Sequence, residues 1–230
     1  MKLAIVGYGK MGRLIEQLAP DYGFEIALKL DEFNNARFQG ITPENFRGVD
    51  VAVEFSTPAA VVENIERIAA LGVNLVVGTT GWHERREHVR EVVARSGIGL
   101  VWSPNYSVGV NLFFRIVAEA ARRLHEQTEY EAWGWEIHHA AKKDAPSGTL
   151  LQLVEEMRKA GYGRPVHLSS SRAGAHPGTH EIGFDSAADT ITLRHTARNR
   201  EGFARGALKA AQWIVGKKGF YEFRQILFED

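Results

Sequence analysis

The sequence predicts an α/β protein: a doubly wound parallel sheet first, then a second α+β domain built on an open mixed sheet. Three observations predict it. Short β-branched apolar runs alternate one-for-one with amphipathic helical patterns over the first hundred residues. A glycine-rich turn joins the first such run to the first helical pattern. After Asn105 the alternation stops, and strands follow one another with fewer helices between them.

Taken in order, the first domain has strands at Lys2–Val6, Glu25–Leu30, Val51–Phe55, Asn74–Val77 and Gly99–Trp102. Between them, Met11–Leu18, Ala59–Leu71 and Glu84–Ala94 carry apolar residues at three- and four-residue intervals, the spacing of one helix face. A long amphipathic helix from Gly109 to His125 opens the second domain. Its strands are Tyr130–His138, Val166–Ser170, His180–Asp185 and Thr190–Ala197, the last two joined by the turn Ser186-Ala187-Ala188-Asp189. A helix from Ser147 to Ala160 stops at Gly161-Tyr162-Gly163, and Gly206 to Val215 closes the chain as a helix returning to the first domain. The expected division is residues 1–105 with 206–230 for the first domain, and 106–205 for the second.

Composition narrows the function classes. The 230 residues hold 28 basic and 28 acidic side chains, so no global field draws the chain to nucleic acid or to an anionic membrane. There is no cysteine, which excludes disulfides, thiolate nucleophiles and cysteine zinc sites. The first apolar run is too short for a signal segment and none approaches the ~20 residues of a membrane span, so a cytoplasmic protein is expected.

Gly7-Tyr8-Gly9-Lys10-Met11-Gly12 fits G-x-G-x-x-G in the context that gives the pattern meaning, after a strand and opening a helix. The first glycine serves the tight turn, the second lets a pyrophosphate approach the backbone, and the third lets the helix press on the strand. Asp31, at the end of the second strand, is placed to accept hydrogen bonds from ribose hydroxyls. A Rossmann-like dinucleotide site follows. The spacing also mimics a P-loop, but Arg13 and Leu14 stand where Lys and Ser or Thr are needed. Gly78-Thr79-Thr80-Gly81 and Ser103-Pro104-Asn105-Tyr106 follow the fourth and fifth strands, at the carboxyl edge where open sheets bind ligands.

The densest chemistry lies in Glu136 to Thr149, EIHHAAKKDAPSGT. Adjacent His138 and His139 on a strand point to opposite faces and so have different jobs. Pro146-Ser147-Gly148-Thr149 opens a helix, offering amides and a hydroxyl to an anion, with Lys142 and Lys143 just before it. Adjacent strand histidines diverge too far to share a metal, His83 and His88 lack H-E-x-x-H, and neither Ser107 nor Ser147 lies in G-x-S-x-G. These residues describe a reductase of a small anionic substrate, with His138 or Lys142 as proton donor.

Over its whole length the chain resembles the 4-hydroxy-tetrahydrodipicolinate reductase family, also called dihydrodipicolinate reductase. The resemblance rests on the glycine loop, Gly78-Thr79-Thr80-Gly81-Trp82, Asn105 to Asn111, the motif H-H-x-x-K-x-D-A-P-S-G-T, and His195 to Arg200 leading into Phe203 to Ala207. It implies a cyclic imine dicarboxylate substrate in the diaminopimelate route to lysine, reduced with NADH or NADPH. It implies His138 as the catalytic imidazole and Lys142 as general acid, and His139, Lys142, Ser147, Gly148, Thr149 and Arg200 as substrate-binding residues. It also implies Gly7, Tyr8, Gly9, Lys10, Met11, Gly12, Asp31, Ser56, Gly78, Thr79, Thr80, Ser103, Asn105 and Tyr106 as the cofactor-binding set, no metal, and a homotetramer. Two departures bear on the cofactor. The loop carries Lys10 where the family usually has arginine, and Asp31 is followed by Glu32, whose charge opposes a 2′-phosphate while Lys10 attracts one. The expectation is a lean toward NADH. Rival readings are another amino-acid dehydrogenase on the same scaffold and a non-catalytic NAD-sensing module.

Overall fold

A computed structural model describes residues 1–228. In chain order the elements are β1 (Lys2–Val6), α1 (Lys10–Leu18), β2 (Glu25–Leu30), β3 (Val51–Glu54), α2 (Val61–Ala70), β4 (Asn74–Val77), α3 (Arg86–Ser96), β5 (Gly99–Trp102), α4 (Val108–Leu124), β6 (Glu131–His138), α5 (Gly148–Lys159), β7 (Val166–Arg172), β8 (Thr179–Asp185), β9 (Thr190–Thr196), α6 (Glu201–Ile214), β10 (Gly219–Glu222) and α7 (Phe223–Leu227). They form two compact units: Met1–Val108 with the segment from Glu201 onward, and Gly109–Arg200.

In the first unit a parallel sheet runs β10-β5-β4-β3-β1-β2. Its inner strands β1, β3, β4 and β5 are buried on both faces, as a sheet covered on two sides requires, while β2 at one edge is partly exposed. Ala4, Val6, Leu75 and Val77 pack with Val61, Ile65 and Ile68 of α2 and Val89 and Val93 of α3. Leu3, Ile5, Val51 and Val53 pack on the other side with Ile15 and Leu18 of α1 and Ala204, Ala207, Ala210 and Ile214 of α6. Each large aliphatic side chain fully buried there stabilises the fold by roughly 1.5–3 kcal/mol. Strand order reverses at β1, whose neighbours are β2 and β3, so the carboxyl ends of β1 and β3 open a crevice at the switch point.

Two features of this unit depart from the sequence expectation. Helix α6 begins at Glu201, five residues before Gly206. Strand β10 adds a sixth strand beside β5, pairing Gly219 with Gly99 and Glu222 with Trp102. Four residues, none fully buried, carry too little periodicity to announce a strand.

The second unit is an open four-stranded mixed sheet, β7-β6-β8-β9, with β7 parallel to β6 and the other pairs antiparallel. One face packs under α4 and α5, where Ala132, Ile182 and Phe184 meet Phe113, Phe114 and Val117, with Leu150, Leu153 and Met157. Alternation along β6 puts Ala132, Gly134, Glu136 and His138 on that buried face and leaves Trp133, Trp135 and Ile137 half-buried on the other. The β8–β9 turn is closed by Ser186, whose amide donates to the Asp189 carbonyl at 2.9 Å.

Candidate active site

The glycine loop shows three different steric demands. Gly7 has φ +97°, and a Cβ there would lie 2.3 Å from the Phe55 carbonyl oxygen. A Cβ on Gly12 would meet the Gly7 carbonyl oxygen at 2.5 Å. At Gly9 a Cβ would meet nothing within 4 Å, so this backbone faces open space. Gly9 is also the N-cap of α1, and no described side chain caps that helix start. An uncapped helix N-terminus behind open backbone fits a pyrophosphate.

Two cavities flank the loop. One, of about 570 Å³, is lined by Gly7, Tyr8, Gly9, Asp31, Glu32 and Ser56, with Arg13, Arg37 and Asn64 also on its walls. The other, of about 440 Å³, is lined by Gly9, Lys10, Met11, Ser56, Gly78, Thr79 and Thr80. Lys10 therefore lines the cavity away from Asp31 and Glu32, and the cations on the Asp31 side are Arg13 and Arg37. Asp31 folds its own loop, its Oδ1 accepting from the amides of Phe33 at 2.9 Å and Asn34 at 3.0 Å. Ser103, Asn105 and Tyr106 lie outside both linings. Tyr106 is buried, and its hydroxyl reaches the carbonyls of Val77 at 3.0 Å and Val101 at 2.9 Å. Ser103 donates to the Asn105 carbonyl at 2.8 Å.

Beneath the crevice, Glu54 ends β3 with its carboxyl fully buried. Its Oε1 accepts from the Ser56 amide and from Asn64 Nδ2, each at 3.2 Å, and from the Ser56 hydroxyl. Burial pushes this carboxyl up, outweighing the hydrogen bonds from Ser56, Thr79 and Asn64 that favour the charged form.

The second unit gathers the Glu136–Thr149 stretch around another buried carboxylate. Glu136 accepts from the Ser147 amide at 2.8 Å, Ser170 Oγ at 2.9 Å, Arg172 Nη2 at 2.8 Å and the Ser147 hydroxyl. Burial alone would raise Glu136, but the hydrogen bonds from Ser147, Arg172 and Ser170 overcome it and hold the group down at about 2. His138 is buried beside it, Nδ1 at 3.6 Å from Glu136 Oε2, and its ring meets that of His180 edge-on with centroids 4.9 Å apart. Burial pushes the His138 imidazole below its ordinary range, partly opposed by the Glu136 charge. His180 is pushed down to about 4, by burial first and then by His138.

Lys142 Nζ pairs with Asp144 at 2.7 and 2.9 Å, and that hydrogen bond holds the Asp144 carboxyl below its usual range. His139 is half-buried, Lys143 exposed, Gly148 exposed and Thr149 half-buried. Ser147 is the N-cap of α5, its hydroxyl accepting from the Leu150 amide at 3.2 Å. Since that hydroxyl also serves Glu136 and lies 3.1 Å from His180 Nε2, it braces the helix start from inside. Arg200 is exposed beyond β9, and no described contact joins it to this group. Glu136, His138 and His180 lie close enough together to suggest a cation site. Arg172 and the serine donors already neutralise and fill the carboxylate, which argues for a hydrogen-bonded cluster.

Sequence reasoning missed Glu136, Arg172 and His180 as participants. A signal existed for Glu136, which shares a strand face with His138 by the two-residue period. His180 joins through the β6–β8 register, Glu136 opposite His180, which no local pattern reveals.

A doubly wound sheet with a glycine-loop crevice, and a separate unit carrying imidazole, ammonium and an open helix start, define an oxidoreductase of the dinucleotide-binding class. The comparisons give the family. The sequence model of the dihydrodipicolinate reductase N-terminus matches residues 1–106, and that of its C-terminus matches residues 109–227. The chain belongs to the dihydrodipicolinate reductase family. It is 32% identical over 240 residues to 4-hydroxy-tetrahydrodipicolinate reductase of Christiangramia forsetii, covering 99% of this chain and 98% of that one. It is 35% identical over 231 residues to the enzyme of the same name from Thermosipho africanus, covering 100% and 99%. Among solved structures, dipicolinate-bound dihydrodipicolinate reductase from Paenisporosarcina sp. TG-14 shares the fold with TM-score 0.81 at 22% identity, over 98% and 99% of the two chains.

Proposed function

We propose that this protein reduces 4-hydroxy-tetrahydrodipicolinate, or the dihydrodipicolinate formed from it, to tetrahydrodipicolinate in the diaminopimelate route to lysine. NADH or NADPH, when bound, supplies the hydride. The observation that carries this reading is the second unit's loop, which sets an ammonium, an imidazole and open helix amides within one short stretch on a buried carboxylate.

The residues divide the work. The exposed helix start at Gly148 and Thr149, with His139, Lys142 and Arg200, holds the substrate carboxylates. Ser147 contributes by fixing that start. Hydride addition to the ring leaves an electron pair that takes a proton on the neighbouring carbon. Lys142 gives that proton and regains one from solvent, and His138 assists. An arriving carboxylate competes with Asp144 for Lys142, which frees the ammonium only when substrate is present. In the first unit Gly7 to Gly12 hold the pyrophosphate, Asp31 the adenosine ribose, and Ser56 with Gly78 to Thr80 the nicotinamide side. Ser103, Asn105 and Tyr106 support that edge from behind.

Glu32 beside Asp31 favours NADH, with NADPH tolerated through Arg13 or Arg37. The half-buried aromatic sheet face bearing Trp133, Trp135 and Ile137 supports a homotetramer. No described helix is long and apolar enough to cross a membrane, and the proposed setting is the cytoplasm. The deciding assay is NADH oxidation with aspartate semialdehyde, pyruvate and the preceding synthase. No turnover by the wild-type protein there ends the assignment. Equal or better kcat/KM with NADPH ends the cofactor preference.

A further inference from the structure

We propose that Glu136 is the positioning residue of the substrate unit, with His180 as its brace: together they fix His138 and clamp both ends of the loop from His139 to Ser147. The carboxylate is fully buried at the centre of four elements. At the far end of the loop it accepts from both the amide and the hydroxyl of Ser147, which sets where α5 begins. Nearer the lysine it acts through Arg172, whose Nη2 donates to Glu136 at 2.8 Å and to the Asp144 carbonyl at 2.5 Å. Asp144 in turn holds Lys142. At the near end lies His138, whose Nδ1 is buried without a hydrogen-bond partner among the described residues, 3.6 Å from Glu136 Oε2.

That separation is longer than a hydrogen bond, and in this proposal it tightens to one when substrate is bound. The carboxylate then holds the proton on Nδ1 and leaves Nε2 for chemistry. Nε2 lies against Gly178, φ +134°, where an added Cβ would stand 3.0 Å away. His180 brings Nε2 within 3.1 Å of Ser147 Oγ and 3.4 Å of Glu136 Oε2. Being held neutral, it bonds to this cluster without adding a second charge. The charged and titratable groups acting on His138 are Glu136 from β6, Arg172 from β7, His180 from β8, and Lys142 and Asp144 from the loop. Glu136 favours the imidazolium, while Lys142 and Arg172 oppose it. Losing the Glu136 charge therefore moves His138 titration to lower pH.

The inference rests on the reductase reading, which wild-type turnover tests separately. The test compares wild type with Glu136→Gln, His180→Gln and His180→Phe, measuring NADH dissociation constant, kcat and KM for the dicarboxylate, and His138 titration by NMR. Glu136→Gln should leave NADH affinity within about twofold, cut kcat/KM by about 20-fold or more, and shift His138 to lower pH. His180→Gln, which keeps a hydrogen-bonding side chain, should stay within about fivefold of wild type, while His180→Phe falls about 20-fold or more. Unchanged kcat/KM or an unmoved titration in Glu136→Gln overturns the proposal, as does wild-type activity in His180→Phe. So does a loss of NADH affinity equal to the loss of kcat/KM, since that marks general unfolding. If Glu136→Gln does not fold, Ser170→Ala and Arg172→Met each remove one contact. Both are expected to lose kcat/KM with NADH binding intact, and no loss in either overturns the proposal.

Discussion

Among the described residues each unit buries one carboxyl group beneath the loops of its candidate site, and the two are held in opposite ways. Glu54, under the glycine-loop crevice, is raised by burial and meets serine, asparagine and threonine donors only. Glu136, under the histidine and lysine loop, meets a guanidinium, two serine hydroxyls and an amide, and falls to about 2. Both side chains are out of reach of solvent, but Glu54 sits deeper in the protein than Glu136, so desolvation weighs more heavily on Glu54. The difference is the Arg172 cation beside Glu136 together with the heavier desolvation of Glu54. A carboxyl whose charged form is disfavoured by burial suits the crevice, where a buried anion would repel a pyrophosphate. An ionised one suits the second unit, where a cationic pocket must be kept oriented.

That contrast can be broken by experiment. The largest effect is expected in acid. Lowering Glu136 from 4.5 to about 2 corresponds to roughly 3 kcal/mol, present above pH ~4.5 and lost as pH falls toward ~2. Acid unfolding followed by circular dichroism should show Glu136→Gln well below wild type at pH 7 and converging with it near pH 2. Parallel curves would mean the carboxylate is not held as described. Next, Lys142→Ala should lower kcat by about a hundredfold or more with NADH affinity unchanged. A near-normal kcat would move the proton transfer to another group. Gly7→Ala should do the reverse, weakening NADH binding about tenfold or more through the clash at the Phe55 carbonyl, without changing His138 titration. Last and smallest, Glu54→Gln should raise the melting temperature at pH 8. A carboxyl with raised pKa costs stability as pH climbs past its unfolded value, so the gain should vanish below about pH 4.5. A fall in melting temperature at pH 8 would mean that burial does not raise the Glu54 carboxyl.

Local patterns carried much of this into view. The three glycines of the loop meet the steric conditions their spacing implies: a positive φ at Gly7, open space at Gly9 and close backbone at Gly12. Two-residue alternation placed His138 on the buried face of β6, while His139, expected on the opposite face, lies just past the strand's end. What stayed hidden depends on distance in the chain. Glu136 meets His180 by strand register and Arg172 across a parallel pair, and neither contact leaves a local period. Ser147 read as an anion ligand because the helix start was legible while the carboxylate behind it was not. Lys10 belongs to the glycine loop, yet as the first residue of α1 it lines the cavity that does not contain Asp31.

The first unit is discontinuous in sequence, and this sets an order of assembly during synthesis. The whole second unit leaves the ribosome before α6 and β10 are made. Until then Leu3, Ile5, Val51 and Val53 lack the alanine-rich helix that covers them, and β5 has an open edge. The second unit can therefore be complete while the first still waits for its last elements.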